Sequence, residues 1–178
     1  EHIWCQGYSE PGAGSDLASL RMSADIDGDD YIVNGQKIWT TMAQQANMIF
    51  LLVRTDKTAK KQKGISFLLV PMDTPGITVR EIDNIGGYSE FAEVFFDEVR
   101  VPRSNMVGKV NEGWTMAKAL LGAERILLGS PKLANFPLQR LQALANDFGL
   151  FGYPLFKQRF TKLHMEVEDS VAVYIWFM

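Results

Sequence analysis

The chain is 178 residues long, with 47% hydrophobic residues, 22% charged residues and a formal net charge of -3. That balance is ordinary for a globular domain or a domain and a half, and it argues against a nucleic-acid surface. No apolar run approaches the roughly 20 residues of a membrane-spanning helix; the single cysteine, Cys5, excludes an intrachain disulfide and fits a reducing compartment.

The first hundred residues read as β structure. Ile3-Trp4-Cys5 begins a strand that runs into a glycine-rich loop from Tyr8 to Asp16. Leu20 to Asp25 alternates loosely, and Asp27-Gly28-Asp29-Asp30 is an Asp-Gly turn between two strands. Tyr31 to Trp39 is rich in β-formers, with a bend at Asn34-Gly35. Asn47 to Arg54 is a continuous apolar strand, expected to be buried on both faces. Lys57, Lys60, Lys61 and Lys63 read as a solvated hairpin loop, since charge runs face water. Ile65 to Val70 is expected to be another central strand, ended by Pro71. Thr74-Pro75-Gly76 turns into the alternating Ile77 to Ile82, and Ala92 opens the last strand. Short strands with turns at this spacing predict a barrel or sandwich.

After Pro102 the period changes. Asn111 reads as the N-cap of a helix starting at Glu112-Gly113-Trp114. Ala117, Leu120, Leu121, Leu127 and Leu128 recur at helical spacing. A second helix is expected over about 132–148, broken or delayed by Pro137. Gly149 and Gly152 punctuate, and Pro154 opens a third helix. His164 and Glu168, four apart, read as a solvated or core-edge pair rather than metal ligands.

Two stretches carry chemistry. In Tyr8-Ser9-Glu10-Pro11-Gly12-Ala13-Gly14-Ser15-Asp16, Pro11 fixes its own φ and the glycines allow a tight turn and close approach to a ligand. Ser9, Ser15 and backbone N–H groups then converge on one polar partner. This is not a dinucleotide fingerprint, because Leu17 stands where a third glycine belongs. In Gly35-Gln36-Lys37-Ile38-Trp39-Thr40-Thr41, an aromatic precedes a hydroxyl by two positions. On a strand these share a face, so Trp39 covers a ring while Thr41 bonds its edge. A buried Trp beside a solvent-facing Thr is the plainer reading of that stretch by itself.

Glu124 falls on the apolar stripe of the first helix. A carboxylate placed there must either hold a proton more tightly or find a charged partner. The first outcome suits a base for α-proton abstraction from a thioester. The second is a structural ion pair with Arg125 or another arginine.

The two stretches together resemble the acyl-CoA dehydrogenase family, whose T/S-E-P-x-A-G-S-D loop and K-x-W-[IS]-T strand both bind FAD. Phe95-Phe96-Asp97-Glu98-Val99-Arg100-Val101-Pro102 is similar to the family's F-F-D-x-V-x-V-P strand end, and Gly113-Trp114 with Gly122-Ala123-Glu124-Arg125 to its first C-terminal helix. The resemblance runs from about Trp4 to about Glu168. It implies an α+β, multi-domain chain: a middle β-barrel domain over 1–105 and an incomplete C-terminal helical-bundle domain over 106–178, in a piece of a longer protein. It implies FAD as cofactor, with Gln6, Tyr8, Ser9, Trp39 and Thr41 around the flavin. Ser15 and Arg125 match positions near bound acyl-CoA. Glu124 matches the base of the isovaleryl-CoA and long-chain members; in most others the base lies later, beyond Met178. The implied reaction is dehydrogenation of an acyl-CoA to a trans-2-enoyl-CoA, with an electron-transfer flavoprotein as acceptor. The assembly would be a homo-oligomer, in bacterial cytoplasm or, in a eukaryote, the mitochondrial matrix. A non-catalytic subunit of a mixed tetramer, and a flavin oxidase or monooxygenase on the same fold, are the alternatives.

Overall fold

The computed structural model describes residues 1–177, with the side chains of Arg125 and Leu128 outside that description. The chain divides into two compact units, 1–119 and 120–178.

The first unit is a single seven-stranded sheet that curls into a half-barrel. Its strands are β1 (Trp4–Gly7), β2 (Ser23–Asp27), β3 (Asp30–Thr41), β4 (Met48–Arg54), β5 (Ile65–Pro71), β6 (Ile77–Asp83) and β7 (Ser89–Pro102). β1 and β2 both run parallel to β4, β5 lies antiparallel on its other side, and β3, β7 and β6 continue the sheet from β2. The Asp-Gly turn joins β2 to β3 as the sequence predicts, with Gly28 at φ 61°.

β4 is buried on both faces, which its unbroken apolar sequence requires. Ile49, Leu51 and Val53 enter a core with Val33, Leu68, Val70, Val94 and Val99. Phe50 stacks on Phe67 at 5.8 Å, and the Tyr8 ring meets Phe50 edge-on at 5.8 Å. Cys5 lies in the core, where burial pushes its thiol up to about 11; it is no nucleophile at neutral pH.

Three local expectations are corrected. β5 is not central: among the described residues β4 is its one strand partner, and its other edge is met by isolated bridges from Met106 and Glu112. Its apolar sequence reflects cover by that passing chain rather than a second full strand. Asn111 is not the cap of the first helix: the helix begins at Gly113, and the Asn111 side-chain oxygen is turned toward Thr55 Oγ1, from which it accepts at 2.6 Å. Its N–H donates to Ser66 Oγ at 2.8 Å, and Ser66 is itself fully buried. Pro137 breaks nothing: the helix runs unbroken from Lys132 to Asp147. Pro137 is its sixth residue, so its missing N–H forfeits one bond near an end, and ten residues follow in which the helix propagates.

The helices are α1 (Gly113–Leu128), α2 (Lys132–Asp147) and α3 (Pro154–Phe177). α1 starts against the sheet because Gly113 has no side chain: a Cβ there would lie 2.5 Å from the Ser66 carbonyl carbon and 2.8 Å from the Phe67 nitrogen. Both neighbours are backbone, so Gly113→Ala is expected to lower the urea midpoint by an amount equivalent to about 1–3 kcal/mol. In the second unit, Gly149 in the left-handed region ends α2. Phe151, Phe156 and Phe160 then pack together, and His164 stacks on Phe160 with rings 14° apart. No helix among the described residues is long and apolar enough to cross a membrane, and no group of three metal-ligating side chains occurs among them.

Candidate functional site

The glycine loop and the Trp strand, separated in sequence by β2, lie side by side. The Ile38 N–H donates to the Ser9 carbonyl at 2.9 Å. The loop closes on itself through reciprocal Glu10 and Ala13 backbone bonds of 3.0 Å. It then passes through Asp16, which accepts from Ser19 Oγ and from Lys61 Nζ at 2.9 Å. These two donors hold the Asp16 carboxyl below the usual carboxylate range.

Behind the loop is a buried ion pair that sequence reasoning missed. Glu10 and Lys37 are 8% and 0% exposed, with Lys37 Nζ 2.9 Å from Glu10 Oε1. Lys37 Nζ also donates to the carbonyls of Tyr8 at 3.1 Å and Leu52 at 2.8 Å. Glu10 accepts from the Arg21 N–H at 2.6 Å and the Met22 N–H at 3.0 Å. Burial, outweighing the nearby Glu10 carboxylate, pushes the Lys37 ammonium down to about 8. Arg54 works similarly, donating to the carbonyls of Ala18, Leu20 and Lys61. The signal available in sequence was an acid and a lysine set among small and apolar residues in the two motifs; their separation of 27 positions hides the pairing.

Trp39 sits in a β-bulge. The β3–β7 register shifts between Lys37 and Thr40, and Trp39 has φ 60°. A regular strand would place Lys37, Trp39 and Thr41 on one face. The bulge instead buries Lys37 and exposes Trp39 (58%) and Thr41, with Thr40 buried between them. Left-handed backbone at a bulky residue is strained and is characteristic of functional positions. Phe91 props the indole edge-on at 6.1 Å.

Of the remaining candidates, Gln6 on β1 and Ser9 are half-buried, and Ser15 is exposed on the loop. Tyr8 is buried, with its ring in the aromatic cluster and its carbonyl accepting from Lys37 Nζ. Glu124 is half-buried on α1, in the unit that begins at Leu120. The Arg125 side chain lies outside the described residues.

Residues 5–99 match the family model for "Acyl-CoA dehydrogenase, middle domain". Acyl-CoA dehydrogenase IpdE1 of Mycobacterium tuberculosis is 44% identical over 162 residues, 90% of this chain and 42% of that protein. The crystal structure of the ChsE4-ChsE5 complex from the same organism matches with TM-score 0.85 and 36% identity, over 97% of this chain and 46% of that one. A structure titled "Tcur3481-Tcur3483 steroid ACAD G363A variant" gives TM-score 0.87 and 36% identity, over 94% and 44%. The fold and the paired motifs thus define an acyl-CoA dehydrogenase middle domain, and the chain belongs to the acyl-CoA dehydrogenase family. It spans less than half the length of these relatives.

The residues present fit FAD, the family's cofactor. An exposed indole offers an apolar face, with the Thr41 hydroxyl two residues on for a polar ring edge. Gly12 and Gly14 have no atom within 4 Å of where a Cβ would stand, leaving the loop's outer surface open to a bulky group.

Proposed function

We propose that this chain supplies the cofactor cradle and the base for FAD-dependent dehydrogenation of an acyl-CoA thioester to a trans-2-enoyl-CoA. The observation that carries this reading is the Ile38–Ser9 backbone bond, which seats the hydroxyl-bearing loop against the bulge that presents Trp39 and Thr41. When bound, FAD supplies the hydride acceptor. Trp39 covers the ring face, and the hydroxyls of Thr41 and Ser9 bond its edge. Gln6 and Tyr8 line the ring system. Ser15 and Arg125 hold the acyl-CoA, and Glu124 takes the α proton.

The functional division proposed runs with the chemistry: 1–105 forms the middle domain and 106–178 the start of a C-terminal helical domain. An electron-transfer flavoprotein is the proposed acceptor, a homo-oligomer the proposed assembly, and the bacterial cytoplasm (the matrix in a mitochondrion) the proposed compartment. The relative solved as a ChsE4-ChsE5 complex supports a second assembly, in which this chain pairs with a different family member.

The test is anaerobic addition of acyl-CoA thioesters to the purified flavin-loaded protein. Bleaching of the flavin absorbance supports the reading; a colourless protein that takes up no FAD, or a flavin left unbleached by every chain length, overturns it. Glu124→Gln is expected to slow bleaching by about 10²–10⁴-fold with FAD content unchanged. An unaltered rate would move the base to another acid.

A further inference from the structure

We propose that Lys37 is a positioning residue for the cofactor cradle: paired with Glu10, it sets the distance between the Ser9 loop and the Trp39–Thr41 bulge without touching the bound group. This rests on the FAD reading above. Lys37 Nζ has three donors, and the three go to Glu10 Oε1, the Tyr8 carbonyl and the Leu52 carbonyl. Glu10 passes the connection on to the N–H groups of Arg21 and Met22. One ammonium therefore ties together the loop on either side of Ser9, the strand two residues before Trp39, the middle of β4 and the entry to β2.

Stability alone does not account for such a pair. A buried ion pair is often no more stabilising than apolar residues of the same size, because desolvation offsets the attraction. What apolar residues lack is direction: they do not fix a backbone carbonyl at hydrogen-bond distance. The bulge makes that direction matter. It places Lys37 inside and Trp39 outside, so any displacement of Lys37 is carried to the indole and the Thr41 hydroxyl. Tyr8 and Glu10 flank Ser9, so the opposite side of the cradle is governed by the same nitrogen.

The experiment uses the holoprotein and the double variant Glu10→Gln/Lys37→Met. It removes both charges together, keeps an acceptor oxygen for one of the Arg21 and Met22 N–H groups, and loses the tether to Tyr8 and Leu52. The apoprotein is expected to keep its far-ultraviolet circular dichroism, while the dissociation constant for FAD, from flavin fluorescence titration, rises by about tenfold or more. Lys37→Arg is the second variant: it keeps the charge but forces a larger planar group into an enclosed site, and a weakening of similar size is expected. Parent-like FAD affinity in whichever variant folds overturns the proposal. Unfolding of both assigns the pair to stability and also overturns it. A parent protein that binds no FAD refutes the cofactor reading itself, and this inference with it.

Discussion

Glu10→Ala is expected to lower the stability of the sheet by about 3–5 kcal/mol in a urea titration at pH 7. The substitution strands a fully buried ammonium, Lys37, without its one carboxylate, and strips the acceptor from two backbone N–H groups. The loss should also depend on pH, with a definite sign. In the folded parent, Lys37 is held at about 8, below its ordinary 10.5, mainly by burial. Between those values the unfolded chain binds more protons, so the contribution of Lys37 to stability rises from pH 8 toward 10.5 and is lost as pH falls through 8. Removing Glu10 takes away the attraction that raises the lysine's proton affinity. The rising limb should therefore begin at lower pH in Glu10→Ala. It should vanish in Lys37→Met. Parallel stability curves for all three proteins between pH 7 and 10 would refute the assignment.

Trp39→Gly separates folding from binding. Left-handed backbone at a non-glycine residue costs about 1–2 kcal/mol, which glycine relieves. Against that stand the lost edge-to-face contact with Phe91, about 0.5–1.5 kcal/mol, and the added freedom of glycine when unfolded, about 0.5–1 kcal/mol. These nearly cancel, so the thermal midpoint should move little. FAD affinity should not be spared. Covering one face of a ring system removes roughly 100 Å² of apolar surface from water, about 2.5 kcal/mol. Its loss corresponds to roughly a 60-fold rise in the dissociation constant. A variant with a parent-like midpoint and parent-like affinity would show that the indole covers nothing.

The sequence exposed the architecture where periodicity and turn chemistry agree. The Asp-Gly hairpin, the buried β4 and the switch to helical spacing after Pro102 are local signals, and they hold in the structure. Non-local partners defeated it. Asn111 has the right chemistry for a cap, but Thr55, 56 residues earlier, claims its oxygen. Ile65 to Val70 looks central because a passing segment covers it as well as a strand would. At the site, alternation correctly pairs Trp39 with Thr41 in exposure, yet it would send Lys37 outward with them. The bulge that reverses Lys37 leaves no mark in composition, since Trp is among the least expected residues at positive φ.

Two margins of the sheet, β6 and β5, are protected in different ways. β6 carries Arg80, Glu81 and Asp83, charges that discourage a neighbouring molecule from adding a strand. β5, apolar and long, has no such charges; the stretch from Met106 to Glu112 lies along it, fastened by Ser66 to the Asn111 N–H. The same short strap that leads the chain out toward its helices therefore covers an edge on which another chain could add a strand.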